Sequence, residues 1–393
     1  MKFEWQTKKI GDVVDIRRGS SPRPIHKFLA TEGMPWVKIA DATSDTSRYI
    51  WKTNEFIIED GVTKSVKVAP ETLIVSNSAT PGLPKIMKTT ACVHDGWLVF
   101  SNYRGITRDF LYYKFIDIRR TLVNQANGSV FQNLKTDIVK DFDIRIPCIE
   151  TQKKIVGILS QIDEKIELNN AINNNLLEQV LALYRNRFVD TVNNERRICR
   201  ADEYFDISIG KTPPRKEPQW FSTNPQDVTW VSISDMGTCG LYIGSSSEQL
   251  TKEAVDRHNV KIVPDNTVLL SFKLTVGRIA ITNGEMTTNE AIAHFKTDKK
   301  EINEYLYCYL KCFNYQTMGS TSSIATAVNS KIIKGMPFVV PTDDELIDFH
   351  SVVAPMFAKI KANQTESEKL TAVRDTLLPK LMSGELDVSD IEL

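Results

Sequence analysis

The sequence lacks the signals of a membrane-spanning segment, a disulfide framework and a metal centre. No apolar run approaches the ~18 residues needed to cross a bilayer, and the charged start, residues 1–16, has no apolar core of signal-peptide length. Six cysteines show neither Cys-x-x-Cys spacing nor a paired framework, and five histidines show no ligand spacing. We therefore expect free thiols, no metal site and a cytoplasmic protein.

The chain also has no net charge, because 49 Lys and Arg balance 49 Asp and Glu. The balance is uneven along the chain: residues 1–150 hold 22 basic against 17 acidic residues (+5), and residues 191–341 hold 17 against 16 (+1). Residues 342–393 hold 5 against 11 (−6). The modest positive charge of the two larger regions is compatible with a nucleic-acid partner. A chain of 393 residues predicts two or three domains.

A long amphipathic segment, Thr151 to Phe188, lies near mid-sequence. Its apolar residues recur at steps of three and four, which is typical of the seam of a coiled-coil helix. The apolar seam positions are Ile155, Leu159, Ile162, Ile166, Leu176, Val180 and Leu183. Two seam positions are polar, Asn169 and Asn173, and a buried Asn in such a seam sets the register at a cost in stability.

The seam recurs 194 residues later, with its polar pair in place as Asn363 and Ser367. The second set comprises Phe349, Val353, Met356, Ile360, Asn363, Ser367, Leu370, Arg374, Leu377 and Leu381. An antiparallel pairing of the two helices would place Asn169 opposite Ser367 and Asn173 opposite Asn363. The same register would bring Leu159 to Leu377 and Leu176 to Ile360.

The regions before the helices repeat as well. Trp36 to Asp41 is echoed by Trp230 to Asp235, Thr72 to Ser76 by Thr267 to Ser271, and Gly82 by Gly277, at offsets of 194 or 195. Residues 15–23 are echoed by residues 206–214 at an offset of 191. The β-branched runs predict strands and the Gly, Pro and Ser runs predict turns. Residues 110–115 and 305–310 predict short buried helices, and Thr342 with Glu345 predicts a capping box at the start of the second long helix. We predict an α+β fold: two similar mixed α/β domains joined by two long helices that form an antiparallel coiled coil, a pseudo-two-fold internal repeat. The expected boundaries are 1–150, 151–190, 191–342 and 343–382, with a tail at 383–393.

Three stretches carry a family resemblance: residues 128–134 (GSVFQNL), residues 146–163 (IPCIETQKKIVGILSQID) and residues 377–386 (LLPKLMSGEL). Together with the duplicated layout, they resemble the specificity subunits of type I restriction–modification systems. The second copy departs from the pattern, since residues 341–345 lack the Glu-Gln type of opening and residues 321–328 match the first stretch only weakly.

This resemblance implies a non-catalytic DNA-reading subunit. Each globular region would be a target recognition domain for one half of a bipartite, asymmetric site. The helices would set the number of unread base pairs and dock two methyltransferase subunits, and motor–nuclease subunits would complete the complex. S-adenosylmethionine would enter with the methyltransferase subunits, so no cofactor is expected on this chain.

Side chains that can contact bases or phosphates lie in the predicted loops. In the first domain the candidates are Arg17, Arg18, Ser20, Arg23, Lys27, Asn77, Lys85, Asn102, Tyr103, Arg104, Ser129, Gln132, Asn133 and Lys135. In the second domain they are Lys211, Thr212, Arg215, Lys216, Ser271, Lys273, Arg278, Ser322, Ser323, Asn329 and Lys331. Any one of them could instead be an ordinary solvated residue.

No complete catalytic constellation is visible in the sequence. Asp163-Glu164-Lys165 is interpreted as a solvated charge cluster on the exposed face of the first helix, not as a nuclease centre. Two alternatives stay open: a self-sufficient DNA methyltransferase or nuclease, and a duplicated coiled-coil scaffold that binds only proteins. Methylation or cleavage by the purified chain would support the first, and absence of salt-sensitive DNA binding would support the second.

Overall fold

The computed structural model describes residues 5–43, 47–126, 133–191, 196–318, 329–389 and 391. The chain forms two compact units, which we call the first and second units. The first unit comprises residues 1–167 and 367–393, and the second comprises residues 168–366. Each unit therefore combines a globular region with a segment of each long helix. The predicted domain boundaries, which separate the helices from the globular regions, stay a prediction.

The first unit contains two five-stranded sheets and a short ribbon. The ribbon pairs β1 (Gln6–Lys9) with β12 (Asp143–Ile146). One sheet has the order β2-β11-β8-β9-β5, formed by Asp15–Arg18, Trp97–Ser101, Leu73–Ser76, Pro84–Met87 and Tyr49–Ile50. The other has the order β3-β6-β4-β10-β7, formed by Leu29–Ala30, Glu55–Ile57, Met34–Val37, Ala91–Val93 and Val66–Val68.

The central strand β8 shows why these residues form a sheet interior. Leu73, Ile74 and Val75 are apolar without alternation, as expected for a strand covered on both faces. Leu73 and Val75 belong to the core that also contains Leu159 and Leu381 of the long helices. Ile74 points the other way, into the core it shares with Trp97 between the two sheets.

The described part of the first globular region also has the α-helices α1 (Ile10–Val13), α2 (Ile39–Thr43), α3 (Glu59–Val62), α4 (Arg108–Ala126) and α5 (Thr136–Lys140), and a short 3-10 helix at Ile25–Lys27. Helix α4 covers the predicted buried stretch at residues 110–115. Its Phe110, Leu111, Tyr113 and Phe115 are fully buried in the core beside the long helices. The apolar run is thus a buried turn within a longer helix, because Phe110 to Tyr113 are all buried in succession.

The second unit repeats the order of elements. Its larger sheet runs β14-β22-β19-β20-β17, formed by Asp206–Ile209, Ile292–Lys296, Val268–Ser271, Ile279–Thr282 and Tyr242–Ile243. Its smaller sheet runs β15-β18-β16-β21, formed by Phe221–Ser222, Glu248–Leu250, Val228–Val231 and Thr287–Thr288. A ribbon pairs β13 (Arg197–Arg200) with β23 (Pro337–Val340). The shorter helices are α7 (Ala201–Tyr204), α8 (Ile233–Thr238), α9 (Lys252–Arg257), α10 (Asn303–Cys312) and α11 (Ser330–Lys334).

The larger sheets of the two units correspond strand for strand. The sheet order β14-β22-β19-β20-β17 matches β2-β11-β8-β9-β5, with the same antiparallel pairs and the same parallel pair at the edge. In the smaller sheet, an isolated bridge between Val263 and Met286 stands where the first unit has β7 against β10. The predicted duplication is therefore present at the level of topology.

The long helices are α6 (Ile149–Tyr184), which continues as a π-helical turn at Arg185–Val189, and α12 (Asp343–Ser383). The start of α12 has the predicted capping box, because the Thr342 hydroxyl accepts from the Glu345 N–H (3.3 Å) and the Glu345 carboxylate accepts from the Thr342 N–H (3.0 Å). Both helices are thus defined by apolar periodicity, with a clear start signal on the second.

Within each unit the segments of α6 and α12 run antiparallel. In the first unit, Asp163 contacts Arg374, while Ile155, earlier in α6, shares a core with Leu381, later in α12. In the second unit, Asn173 contacts Asn363 while Arg187 contacts Asp348. The predicted hydrophobic partners also share cores: Leu159 and Leu377 in the first unit, and Leu176 and Ile360 in the second. The predicted α+β fold with paired antiparallel helices is confirmed.

Candidate nucleic-acid interface

A loop follows the first strand of the larger sheet in each unit, and we call it the entry loop (residues 19–24 and 210–217). Its first residue is a glycine that touches the turn before β11 or β22. A Cβ on Gly19 would lie 2.1 Å from the His94 carbonyl oxygen, and one on Gly210 would lie 2.1 Å from the Thr288 hydroxyl. Only glycine permits this approach. The repeated glycines therefore allow each entry loop to pack closely against the residues before β11 or β22.

A carboxylate at the same position in each unit holds the entry loop. The Ser21 hydroxyl donates to Asp95 at 2.7 Å, and the Thr212 hydroxyl donates to Glu290, which occupies the position equivalent to Asp95. Burial alone would raise the pKa of each carboxyl, but these hydrogen bonds and nearby cations lower the pKa of both groups. Both anchors are thus held ionised, as partners for loop hydroxyls and Arg side chains.

In the first unit the entry loop is surrounded by cations. Arg23 is 80% exposed along its side chain, with Nη2 3.3 Å from Asp95, and Arg17 and Arg18 are also exposed. Sequence reasoning missed two neighbours, Lys64 and Lys67. Their carbonyl oxygens accept from the Ser20 hydroxyl (3.1 Å) and from Arg17 (3.3 Å), and both side chains are exposed. Lys67 lies between Val66 and Val68 on the edge strand β7, where a lysine alternating with valines would have been the signal, and Lys64 precedes that strand.

In the second unit an arginine is stacked on two aromatic rings. The Arg215 guanidinium lies 4.1 Å from the Phe221 ring centre and 4.7 Å from the Trp230 ring centre, and it pairs with Glu248 at 2.9 Å. Lys211 reaches the His258 carbonyl oxygen at 2.6 Å. The cations therefore differ in placement between two entry loops that share one backbone anchor.

The first unit also has a cleft of about 690 Å³ beside its entry loop. It is lined by Ser21, Pro22, Arg23, Pro24, Ile25, Trp36, Lys38 and His94. Burial lowers the pKa of His94, more than the nearby Asp95 raises it, so this imidazole is neutral at physiological pH. An indole beside two cations suits an aromatic or anionic group.

Three residues that were predicted to contact DNA are buried, and each instead donates a hydrogen bond to a backbone carbonyl oxygen. Asn77 donates to the Asp95 carbonyl oxygen at 3.0 Å, the Lys85 ammonium donates to the Ser47 carbonyl oxygen, and the Ser271 hydroxyl donates to the Thr275 carbonyl oxygen at 2.6 Å. Burial leaves almost nothing of these side chains to contact a duplex. Arg278, partly buried, likewise donates to the Ile233 carbonyl oxygen at 2.5 Å.

The segment Asn102-Tyr103-Arg104 lies away from the entry loop. Asn102 and Arg104 each donate to the Asp15 carboxylate at 2.7 Å, and Asp15 starts the strand whose other end leads into the entry loop. Burial raises the pKa of Tyr103 to about 12, so its hydroxyl stays protonated. These residues and the entry loop are therefore at opposite ends of one strand.

The remaining candidates fall into two groups. Exposed in the structure are Lys27, Asn133, Lys135, Lys216, Lys273, Asn329 and Lys331. Asn329 is the N-cap of α11, where its side chain accepts from the Ile332 N–H at 3.0 Å. Ser129, Gln132, Ser322 and Ser323 lie outside the described residues.

The polar seam positions pair as predicted at one site. Asn363 donates to the Asn173 side-chain oxygen at 2.8 Å, and both residues are buried. Asn169 is buried and donates to Glu366 at 2.9 Å. Ser367 begins the second chain segment of the first unit, and its pairing with Asn169 stays a prediction. The hydrogen bond between Asn173 and Asn363 is therefore present, and the role of this pair in setting the helix register stays a prediction.

The interpretation of Asp163 as a solvated residue was wrong. Its side chain is 8% exposed and accepts from the Tyr113 hydroxyl at 2.7 Å and from Arg374 at 2.8 Å. Arg48 extends this network to the Tyr113 hydroxyl (3.3 Å) and to Glu164 (3.0 Å). Asp163 faces α12 because it lies eight residues, about two turns, from Ile155 on the seam side. The carboxylate is structural.

Among the described residues no three His, Cys, Asp or Glu side chains come together as a metal site. The same part of the chain has no helix with the length and apolarity needed to cross a bilayer.

Comparison with known proteins agrees with this architecture. The family model described as "Type I restriction modification DNA specificity domain" matches residues 2–178 and 197–372, one match for each repeat. The type I restriction enzyme MjaIX specificity subunit of Methanocaldococcus jannaschii is 26% identical, over 99% of this chain and 95% of that protein. The HindI specificity subunit of Haemophilus influenzae is 22% identical, over 72% of this chain and 79% of that protein.

A solved structure has the same fold. The crystal structure of the type I restriction-modification system S subunit from M. genitalium aligns with 97% of this chain and 96% of its own, with a TM-score of 0.53 and 16% identity. The chain therefore belongs to the type I restriction modification DNA specificity family, as the resemblance predicted. It is a DNA-specificity subunit of the type I restriction–modification class.

Proposed function

We propose that each unit reads one half of a bipartite, asymmetric DNA site, and that the helices set the unread spacer between the halves. The observation that carries the proposal is the pair of entry loops. Both are seated by glycine and held by a carboxylate at the same position, Asp95 or Glu290, yet they present different cations. Such loops would place different side chains at equivalent positions against two different sequences.

The helices support the spacer role by their continuity. Helix α6 has 36 residues and α12 has 41, and each supplies residues to both compact units. Spacing between half-sites on DNA follows from the distance at which two reading domains are held. We propose that two methyltransferase subunits dock on these helices and that motor–nuclease subunits join the full complex.

In this proposal the chain supplies recognition only. The methyltransferase partners would bring S-adenosylmethionine and carry out methyl transfer, and the chain would act on no bond itself. Purified chain without partners should leave DNA unmethylated and uncut. Methylation by the chain alone would instead support a self-sufficient enzyme.

The central test maps methylated adenines in cells that contain the methyltransferase partner, with and without this chain. We expect one bipartite motif to be methylated only when the chain is present. Exchanging residues 1–150 for the corresponding region of a relative should change one half of the motif and leave the other half and the spacer intact. A motif that does not depend on the chain would overturn the proposal.

A second test concerns Lys64 and Lys67, the two exposed cations that were not among the residues predicted from the sequence. Replacing both Lys64 and Lys67 by glutamine should reduce the slope of log affinity against log salt by about 2, since each phosphate contact contributes about 0.9. Lys300, exposed in the second unit and away from its entry loop, is a matched control whose replacement by glutamine should leave the slope unchanged. An unchanged slope in the double variant would remove these two residues from the interface.

A further inference from the structure

One loop has the same hydrogen-bonded structure in the two units but carries a different residue at its apex. We call it the tip loop, residues 77–82 between β8 and β9 and residues 272–277 between β19 and β20. At its apex stands Ala79 in the first unit and Leu274 in the second, with φ of 57° and 60°. Each loop ends in a glycine with positive φ, Gly82 or Gly277.

The same four hydrogen bonds hold both tip loops. In the second unit the Ser271 hydroxyl donates to the Thr275 carbonyl oxygen (2.6 Å) and accepts from the Arg278 N–H (3.0 Å). The Thr275 N–H donates to the Lys273 carbonyl oxygen (2.6 Å), and the Gly277 N–H donates to the Ser271 carbonyl oxygen (3.0 Å). In the first unit the corresponding bonds are made by Ser76, Ser78, Thr80, Gly82 and Leu83.

This framework presents Leu274 to solvent. The residue is 99% exposed, and it adopts a left-handed conformation that a branched side chain rarely takes. Exposure of a large apolar side chain gains nothing for the fold, and strained residues persist where the surrounding structure holds them for a role. Because the loop is already ordered, little conformational freedom would be lost when Leu274 contacts a partner.

The surroundings of the tip loop favour a polyanion. The Phe272 N–H donates to the Ala291 carbonyl oxygen at 2.9 Å, so the tip loop starts beside Glu290, the carboxylate that holds the entry loop. Lys273, next to Leu274, is exposed. Burial would raise the pKa of Glu290, but the Thr212 hydrogen bond and the charges of Lys273 and Arg215 lower it, so both cations lie near this carboxylate.

We infer that Leu274 is a base-reading residue of the second unit, and that it contacts the 5-methyl group of a pyrimidine, thymine in unmodified DNA, in the major groove. This inference rests on the proposed function. The thymine methyl is the apolar group that the major groove offers to an apolar side chain. Cations beside the tip would position it by contacting phosphates. Ala79, at the same place in the first unit, is too short to make an equal contact.

The test uses the complex of the full chain with its methyltransferase partner and a duplex carrying the mapped bipartite site. The half-site of the second unit is the half that stays unchanged when residues 1–150 are exchanged. Each thymine in that half is replaced in turn by deoxyuracil, which removes only the methyl group. We expect one replacement to weaken binding about four-fold, the value for one buried methyl group.

Leu274→Ala gives the second arm, because it copies the apex of the first unit. The variant should bind the thymine duplex several-fold more weakly and should no longer distinguish thymine from deoxyuracil at that position. Its melting temperature and the salt dependence of binding should match those of the unaltered chain, since an exposed side chain is removed and phosphate contacts remain. Ala79→Leu should leave recognition of this half-site unchanged.

Four outcomes would overturn the inference. They are a half-site without thymine, equal binding of all deoxyuracil duplexes, a Leu274→Ala variant that still distinguishes the two bases, and a variant that loses only its association with the methyltransferase. The last outcome would assign the tip to a protein partner. If the unaltered complex binds no bipartite site at all, the proposed function fails as well, and that result differs from loss of discrimination at one base.

Discussion

The interior beside the paired helices is polar in the first unit and apolar at the equivalent positions of the second. Arg48, Tyr113, Asp163 and Arg374 form a hydrogen-bonded network. The equivalent positions, at offsets of 193 to 195, are occupied by Leu241, Cys308, Phe357 and Val180, all buried. The same backbone fold accommodates both sets of residues, because the charges of the polar set are paired and the apolar set has no charges. A half-converted set would leave an unpaired buried charge.

A second difference is reversed: here the second unit buries a polar residue where the first unit has an apolar one. His294 is buried on β22, where its Nε2 lies 2.7 Å from the Thr288 hydroxyl and its Nδ1 lies 3.0 Å from the Ser208 hydroxyl. The equivalent residue of β11 is Val99, which is also buried. The buried polar network of the first unit therefore lies beside the long helices, whereas the buried His294 of the second unit lies in its larger sheet. Duplicated folds can therefore diverge in the interior as well as in their loops.

The largest effect is expected when one charged residue of the polar set is moved into the second unit without its partners. Phe357→Asp would bury a carboxylate against Val180 with no cation, and we expect a loss of about 4 kcal/mol or more in the free energy of unfolding. Phe357→Leu is the matched control, with a loss of about 1 kcal/mol. Denaturant titration with hydrogen exchange on α10 measures both, and similar losses in the two variants would contradict the comparison.

Removal of one partner from the first unit should be the next largest effect. Asp163→Ala leaves the Tyr113 hydroxyl without its acceptor and leaves Arg374 with Asp375 alone, so we expect a loss of about 3 kcal/mol, read by hydrogen exchange on α4. The quadruple variant Arg48→Leu, Tyr113→Cys, Asp163→Phe and Arg374→Val copies the second unit at all four positions and should recover most of that loss. A quadruple variant no more stable than Asp163→Ala would show that the two interiors are not interchangeable.

Acid should destabilise the second unit through His294. Burial lowers the pKa of His294 to about 3, whereas an exposed histidine in the unfolded chain has a pKa of about 6.5. Between these values the unfolded chain binds the proton and the folded chain does not. Stability therefore falls as the pH drops through this window, by about 1.4 kcal/mol per pH unit from this group.

His294→Val, which copies Val99, should remove this part of the acid sensitivity. The measurement is the free energy of unfolding between pH 7 and pH 4, set against the same titration of a Val99→Ala control, which keeps His294. An acid slope in His294→Val equal to that of the unaltered chain would show that other groups cause the loss.

The smallest effect is expected at the amide pair of the second unit. Replacing both Asn173 and Asn363 by leucine should raise stability by about 1 kcal/mol, because an apolar seam packs better than a polar one. The same change should loosen register, seen as a rise in dimeric or larger species by light scattering. A variant that is more stable and still wholly monomeric would show that this pair does not set the register.

Much of the architecture could be predicted because its signals are linear. The seam of period three and four identified α6 and α12, and Thr342 with Glu345 marked the start of α12. The repeat at offsets near 194 implied two copies of one topology, which the sheet orders confirm. Gly19 and Gly210 belonged to a repeated loop motif, and their close contacts explain why glycine stands there.

The exposure of polar residues could not be predicted in the same way. Asp163 has the composition of a solvated cluster, yet Tyr113 and Arg374, 50 and 211 residues away, enclose it. Lys64 and Lys67 reach the entry loop only because β7 pairs with β10. Leu274 is unremarkable in sequence until the tip loop places it in solvent.

The sequence by itself determined the duplication and the two long helices, because periodicity and repetition are properties that can be read along the chain. Only the tertiary structure decided which polar groups are buried, which cations gather at the entry loops and which apolar side chain is left outside. Those outcomes depend on contacts between residues far apart in sequence, and strand order and helix pairing create those contacts.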